Sequence, residues 1–299
     1  MRRLAATAAL SVVGAACAVT ADEPAALPPV AVANVAPAPA PPPAPAGPAT
    51  FLYHGELTQG GWIRGEVPAG TASARLGDRD LAFAPDGRFF AAFDRDAGRE
   101  TALTATLRDG RSVRAALAVA PREWQIEHID ASPTANVPSA EFTRRRQPEL
   151  QRIAAARQVD TGSQGWRQSF VWPAAGRISG RFGSQRVYRG EPGSYHSGID
   201  IAGGSGTTYV APADGVVVLA ADAPFTLEGN LLIVDHGMGL NSAFLHSSEL
   251  LVREGEAVRQ GQPLGRIGMT GRATGPHLHW ALVWRGARLD PLLFTGPMG

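Results

Sequence analysis

Five of the seven histidines in this 299-residue chain fall between positions 196 and 279. Their settings decide what chemistry they can do. In "HSGID" (196–200), His196 and Asp200 stand four apart, a spacing that returns both side chains to one face of a strand or of a helix. Gly198 and the following "IAGG" favour loop and strand. In "GPHLHW" (275–280), alternation sends His277 and His279 to the same strand face, about 6.5–7 Å apart, with Leu278 on the other face. Two imidazoles side by side must be solvated or satisfied. A zinc ion satisfies them well, since it takes neutral imidazole nitrogen and carboxylate oxygen as ligands. His246 closes the apolar run "SAFLH", a place where a histidine is more often structural than catalytic. His236, in the turn "VDHGMG", is expected to fix that turn together with Asp235. Alone, each pattern allows a metal clamp, a catalytic pair or no role.

The elements that must position these residues are short and rich in valine and leucine: "GVVVLA" (215–220), "LLIVDHG" (231–237), "PLGRIG" (263–268) and "HLHWALVW" (277–284). Glycine-containing turns separate them, and no long amphipathic helical pattern intervenes. Residues 169–299 therefore read as an all-β domain with tight turns. Upstream, residues 51–120 read as a small β-sandwich. Leu81 and Phe83 lead through Pro85-Asp86-Gly87 to Phe89, Ala91 and Phe93. Leu103, Ala105 and Leu107 lead through Asp109-Gly110 to Val113, Ala115, Leu117 and Val119. Period-two alternation implies one buried face. Residues 121–168 read as a connector interrupted by Pro133 and Pro138, with a short helix starting at Pro148, a favourable first helical position. "RRR" (144–146) reads as a solvated run. His54 and His128 have no evident partner.

The N-terminus reads as an export signal, residues 1–21. Arg2 and Arg3 precede an apolar run over 4–19, and "VTA" (19–21) suits cleavage. The run is short for a membrane span. Lipidation at Cys17, the only cysteine, is the less favoured alternative, because "VGAA" lacks the usual leucine. Residues 22–50, nearly all Ala, Pro and Val, form a spacer that cannot bury a core. With 28 basic residues, all arginine, against 27 acidic ones, charge gives no argument for a nucleic-acid partner. The oligomeric state is left open.

Taken together and in order, "RISGRFGSQR" (177–186), "HSGIDIA" (196–202), "TYVAPADGVVV" (208–218), "LIVDHGMGLNSAFLH" (232–246) and "VRQGQPLGRIGMTGRATGPHLHW" (258–280) resemble the M23 zinc metallopeptidases, the lysostaphin and LytM-like peptidoglycan endopeptidases. The resemblance covers about residues 170–295. A looser one links 51–168 to the region ahead of this peptidase in some Gram-negative members. The fold implied is mainly β: an antiparallel metallopeptidase domain preceded by a small β-sandwich and a partly helical linker. The resemblance implies Zn²⁺ held by His196, Asp200 and His279, with His246 and His277 as the catalytic pair. Without it, a closed four-ligand site that includes His277 would be equally allowed. The implied substrate is a peptide of peptidoglycan, and the implied location is the periplasm or cell envelope. Glycine-rich loops at 180–195, 203–207 and 268–276 are expected to wall a groove, with Arg181, Arg186 and Arg272 as candidates to meet substrate carboxylates. A non-catalytic LytM-like module that activates other wall hydrolases is the alternative. A D-Ala-D-Ala carboxypeptidase fits less well, because no glutamate base stands beside the H-x-H.

Overall fold

A computed structural model describes residues 47–131, 139–221 and 223–298. The signal, Cys17, most of the Ala/Pro spacer, Pro133 and Pro138 lie outside the described residues. Seven strands, β1 (Leu52–Gly55), β2 (Trp62–Glu66), β3 (Thr71–Leu76), β4 (Arg79–Asp80), β5 (Arg88–Ala92), β6 (Glu100–Leu107) and β7 (Ser112–Ala118), form two antiparallel sheets. Their orders are β1-β2-β5 and β4-β3-β6-β7. The turn into β5 is built as its sequence requires: Gly87 takes φ 81°, and the Asp86 carboxylate accepts from the Arg88 amide. Glycine takes up that left-handed conformation without a steric cost.

The expected alternation holds in β6, where Leu103, Ala105 and Leu107 are buried, but not in β5. Phe89, Phe90, Ala91, Ala92 and Phe93 are all buried. Phe89 packs on Phe51. Phe90, one residue along and so on the other face, packs on Trp284 and Phe294 from the far end of the chain. The sheet β1-β2-β5 is therefore covered on both sides, and one hydrophobic core runs from the sandwich into the C-terminal sheet. Burial of a ring such as Phe90 contributes roughly 2–3 kcal/mol. Polar contacts line the same seam. Trp62 Nε1 donates to the Leu293 carbonyl at 2.8 Å, and Arg122 pairs with the buried Asp290 at 2.8 Å.

The connector holds strand β8 (Ile126–Ile129) and helix α1 (Ala140–Ala156). The helix starts eight residues before the expected Pro148. Ser139 caps it by accepting from the Phe142 amide, and an N-cap hydroxyl outweighs a first-turn preference. Pro148 withholds one helical donor, the one that would serve the carbonyl of the exposed Arg144. Ile153 and Ala156 seat the helix on the C-terminal sheet against Val218, Ala243 and Ala281.

The C-terminal strands are β9 (Ile178–Gly180), β10 (Gln185–Tyr188), β11 (Glu191–Tyr195), β12 (Ile199–Ala202), β13 (Thr208–Val210), β14 (Gly215–Ala220), β15 (Asn230–Asp235), β16 (Leu240–Ser247), β17 (Glu249–Leu250), β18 (Ala257–Val258), β19 (Pro263–Arg266), β20 (His277–Trp284) and β21 (Ala287–Leu289). The main sheet runs β18-β14-β15-β16-β20-β12-β9, with β21 added to β20. Each of its pairs is antiparallel. The β10–β11 hairpin, with β8 added in parallel, forms a separate three-stranded sheet beside it. The architecture is thus mainly β, with antiparallel sheets and one helical connector.

Candidate metal centre and its groove

The register of three neighbouring strands builds the site. Asp200 on β12 stands directly opposite His279 on β20, and Leu245 on β16 stands opposite His279 from the other side. Ile199, Ile201, Leu278 and Trp280 are fully buried beneath, so strand alternation sends Asp200, His277 and His279 to the opposite, open face. His196 reaches them from the turn before β12. His196 Nε2 lies 3.0 Å from Asp200 Oδ1 and 3.1 Å from His279 Nδ1. His279 Nδ1 lies 2.9 Å from Asp200 Oδ1.

These three residues form the one His/Cys/Asp/Glu cluster of metal-binding geometry among the described residues. Their donor atoms are spaced close to the ~3.3 Å that bonds of about 2 Å at tetrahedral angles require. The side chains are also pre-oriented for a metal. A carbonyl can only accept, so His196 Nδ1, 3.1 Å from the Arg181 carbonyl, carries the ring proton and leaves Nε2 bare toward the cluster. The donor set, two imidazoles and a carboxylate, fits zinc. Two glycines let the backbone come this close. A Cβ at Gly180 would stand 2.4 Å from Asp200 Oδ2, and one at Gly198 would stand 2.8 Å from His279 Nε2. Their place in "RISGRFG" and "HSGID" was the available signal, and their role was not read from it.

Burial works against ionisation of Asp200. Hydrogen bonds and charge from His196 and His279 outweigh it and hold the carboxyl well below the usual range. Burial also lowers His196, yet the Asp200 carboxylate raises it on balance. His279 is pushed down, by burial first. The cluster thus holds an ionised carboxylate between two imidazoles that share hydrogen bonds with it.

His246 and His277 lie beside it with ring centroids 4.9 Å apart. His277 Nε2 is 3.7 Å from Asp200 Oδ1. The Nδ1 of His277 donates to the Gly275 carbonyl and that of His246 to the Thr270 carbonyl, each at 2.8 Å, so both Nε2 atoms are bare. Burial pushes His246 below its ordinary value. His246 reaches this face irregularly. Leu245 and His246 are consecutive, yet both line the groove. The break in alternation coincides with φ 66° at His246, a left-handed conformation that costs a non-glycine residue about 1–3 kcal/mol. The His246 amide is held by the Glu228 carbonyl at 2.8 Å.

All five residues line a groove of about 630 Å³. It shares Ser194, Tyr195, His196, Asp200 and Arg272 with an adjoining groove of about 900 Å³ over the β8-β10-β11 sheet. Loops 180–195 and 268–276 contribute walls as expected, and 203–207 does not. Arg186 lines the adjoining groove but is paired with Glu127 at 2.8 Å. Arg181 serves through its carbonyl. No residue of the sandwich lines either groove. Its Arg95 instead braces the hairpin wall, donating to the Gly183 carbonyl and Gln185 Oε1 and lying 4.6 Å over the Tyr195 ring. His236 is elsewhere, fully buried between the Asp214 carbonyl and Ser242 Oγ. Asp235 accepts from Thr161 and Gly237, which ties down the turn. The "RRR" run divides: Arg144 and Arg145 are exposed, whereas Arg146 forks onto Glu228 with bonds of 2.6 and 2.7 Å.

The family model for Peptidase family M23 matches residues 194–291, which include every residue of this cluster and also His246 and His277. The chain carries an M23 peptidase domain. Over 126 residues it is 38% identical to the peptidoglycan DD-endopeptidase ShyA of Vibrio cholerae, covering 41% of this chain and 28% of that protein. Over 129 residues it is 36% identical to the murein hydrolase activator NlpD of Escherichia coli, covering 43% of this chain and 31% of that one. The chain thus spans about a third of the length of these curated relatives. The crystal structure of a putative M23 peptidase from Pseudomonas aeruginosa superposes with a TM-score of 0.60 at 25% identity. That match covers 79% of this chain and 93% of the other, so the likeness extends beyond the M23 domain.

Proposed function

We propose that the protein is a zinc-dependent endopeptidase that hydrolyses peptide cross-links of peptidoglycan in the cell envelope. The observation that carries this reading is a complete His196–Asp200–His279 cluster with two further imidazoles aimed into the same open groove. His196 Nε2, His279 Nδ1 and the Asp200 carboxylate would hold the metal. Three protein ligands leave a fourth position, the arrangement of catalytic rather than structural zinc. Zinc held there supplies Lewis acidity, polarising a peptide carbonyl and lowering the pKa of water.

The chain's own residues supply the rest. The groove lays an extended peptide across the sheet face, next to His246 and His277. Their bare Nε2 atoms can take a proton from the attacking water and pass it to the leaving amine. Once protonated, either ring stabilises negative charge on the carbonyl oxygen. Burial keeps His246 neutral near pH 7, as a proton acceptor must be. The Thr270 and Gly275 carbonyls hold both rings in the required tautomer.

A second reading, an activator of other wall hydrolases, draws on the similarity to NlpD. The two are separated by zinc analysis and digestion of purified peptidoglycan with mass spectrometry of the released fragments. The peptidase reading expects about one zinc per chain and cleaved cross-links. Asp200→Ala should lose both metal and activity, and His277→Ala should lose activity alone. Zinc-loaded protein that releases no fragments favours the activator. Loss of zinc in His277→Ala as complete as in His279→Ala would overturn the division of roles.

A further inference from the structure

The strand face that carries the histidines continues past them. On β20, His277, His279, Ala281 and Val283 share one face. Val283 is paired with Arg288 on β21, which puts Arg288 on that face too. Arg288 lines the same groove as His246, His277 and His279. Its backbone is fixed, because its amide donates to Asp94 Oδ2 of the sandwich at 2.9 Å. Its side chain has no hydrogen-bond or ion-pair partner among the described residues.

Acidic groups stand near, but none pairs with the Arg288 guanidinium: Asp94 is turned to the Arg288 amide and Asp96 to Arg95. Arg157, at the C-cap of α1, is near enough to feel both Arg288 and Glu228, and burial lowers it to about 10. Arg157 Nε is buried with no hydrogen-bond partner. Glu228 could have neutralised the pair, but both its oxygens are taken by Arg146. Asp200 belongs to the metal cluster. Arg272, on the groove's other wall, also has no acidic partner among the described residues. An arginine kept unpaired beside a second, desolvated one costs stability unless an anion arrives.

We infer that Arg288, backed by Arg157, is a carboxylate subsite at the far end of the catalytic groove. It selects peptides that carry a free carboxylate some way along the chain from the bond cut. Four residues of strand, about 13 Å, separate Val283 from His279. Because Arg288 lines the groove that holds the histidines, its guanidinium meets a carboxylate within a few residues of the scissile bond. Guanidinium reads a carboxylate by a forked pair of hydrogen bonds, which a carboxamide cannot reproduce.

This inference rests on the peptidase reading for its substrate, and its test separates the two. The ligands are a cross-linked stem-peptide dimer with free carboxylates and the same dimer with those groups converted to carboxamides. Binding is measured by calorimetry on full-length, zinc-loaded protein carrying His277→Ala, so that turnover does not intervene. The acid dimer should bind more tightly than its carboxamide twin by about ten- to a hundredfold. Arg288→Met should erase that difference while leaving the carboxamide twin's affinity unchanged. Arg288→Lys should restore part of it. Equal binding of the two dimers overturns the subsite and needs no substitution at Arg288. So does equal weakening of both by Arg288→Met, or no binding of either. Discrimination in binding without cleavage by the wild-type protein would leave the subsite standing and sink the peptidase reading.

Discussion

Arg146→Met tests whether helix α1 supports His246, the proposed proton-transfer residue. The native guanidinium spans Glu228 with bonds of 2.6 and 2.7 Å and adds a third to Glu149 at 3.0 Å. The Arg146 and Glu228 side chains are only 13% and 16% exposed. Glu149 in turn accepts from the Thr226 amide and hydroxyl at 2.7 Å. Methionine keeps the aliphatic stem but leaves the Glu228 carboxylate without its fork. Charge-assisted bonds are worth about 1.5–3 kcal/mol each, and partial solvation reduces their sum, so a loss of about 2–3 kcal/mol is expected. Chemical denaturation reads it. Arg146→Met combined with Glu228→Gln should recover part of the loss, because the stranded charge is gone. The functional effect passes through the backbone, since the Glu228 carbonyl holds the His246 amide in its left-handed conformation. Under the proposed peptidase reading, misplacing His246 should lower kcat about tenfold with zinc content unchanged. Full activity in a destabilised Arg146→Met protein would refute this coupling. Loss of zinc would show that the helix supports the metal ligands instead.

Phe90→Ala should cost about 3–5 kcal/mol, because the ring fills the seam between the sandwich and Trp284 and Phe294. Unfolding should stay a single transition by calorimetry, and two separated transitions would contradict the continuous core. Burial lowers the folded-state pKa of His236 to about 4. The unfolded chain takes up this proton first, so the stabilisation from neutral His236 is complete above about pH 6.5 and is lost as pH falls toward 4. The loss amounts to about 3 kcal/mol. A His236→Gln protein should show a flatter acid limb in urea midpoints between those pH values, and an unchanged slope would count against it.

What was legible in the sequence was whatever local spacing controls. His277 and His279 share a face because strands alternate, and Asp235-His236 fix a turn because the turn is local. Other features depend on distant partners. Phe90 should point to solvent by its own alternation, and it is buried because residues nearly two hundred positions later cover it. Arg146 is one of three consecutive arginines, and only the fold brings Glu228 to it. Pro148 hid the true start of α1, which Ser139 sets. The arrival of His246 on the groove face depends on a single backbone angle, for which "AFLH" carries no mark. Arg288 follows the last motif and matched no pattern, so only its pairing with Val283 reveals it.

The seam between the sandwich and the sheet bears on how this protein can be re-engineered. Asp94 pins the strand that bears Arg288, and Arg95 braces the hairpin above Tyr195. A chimera that keeps only residues 169–299 and adds a foreign targeting module would leave Trp284 and Phe294 bare and both walls untethered. Recombination would have to treat residues 51–298 as one inheritable cassette, with the useful junction upstream, in the Ala/Pro-rich stretch.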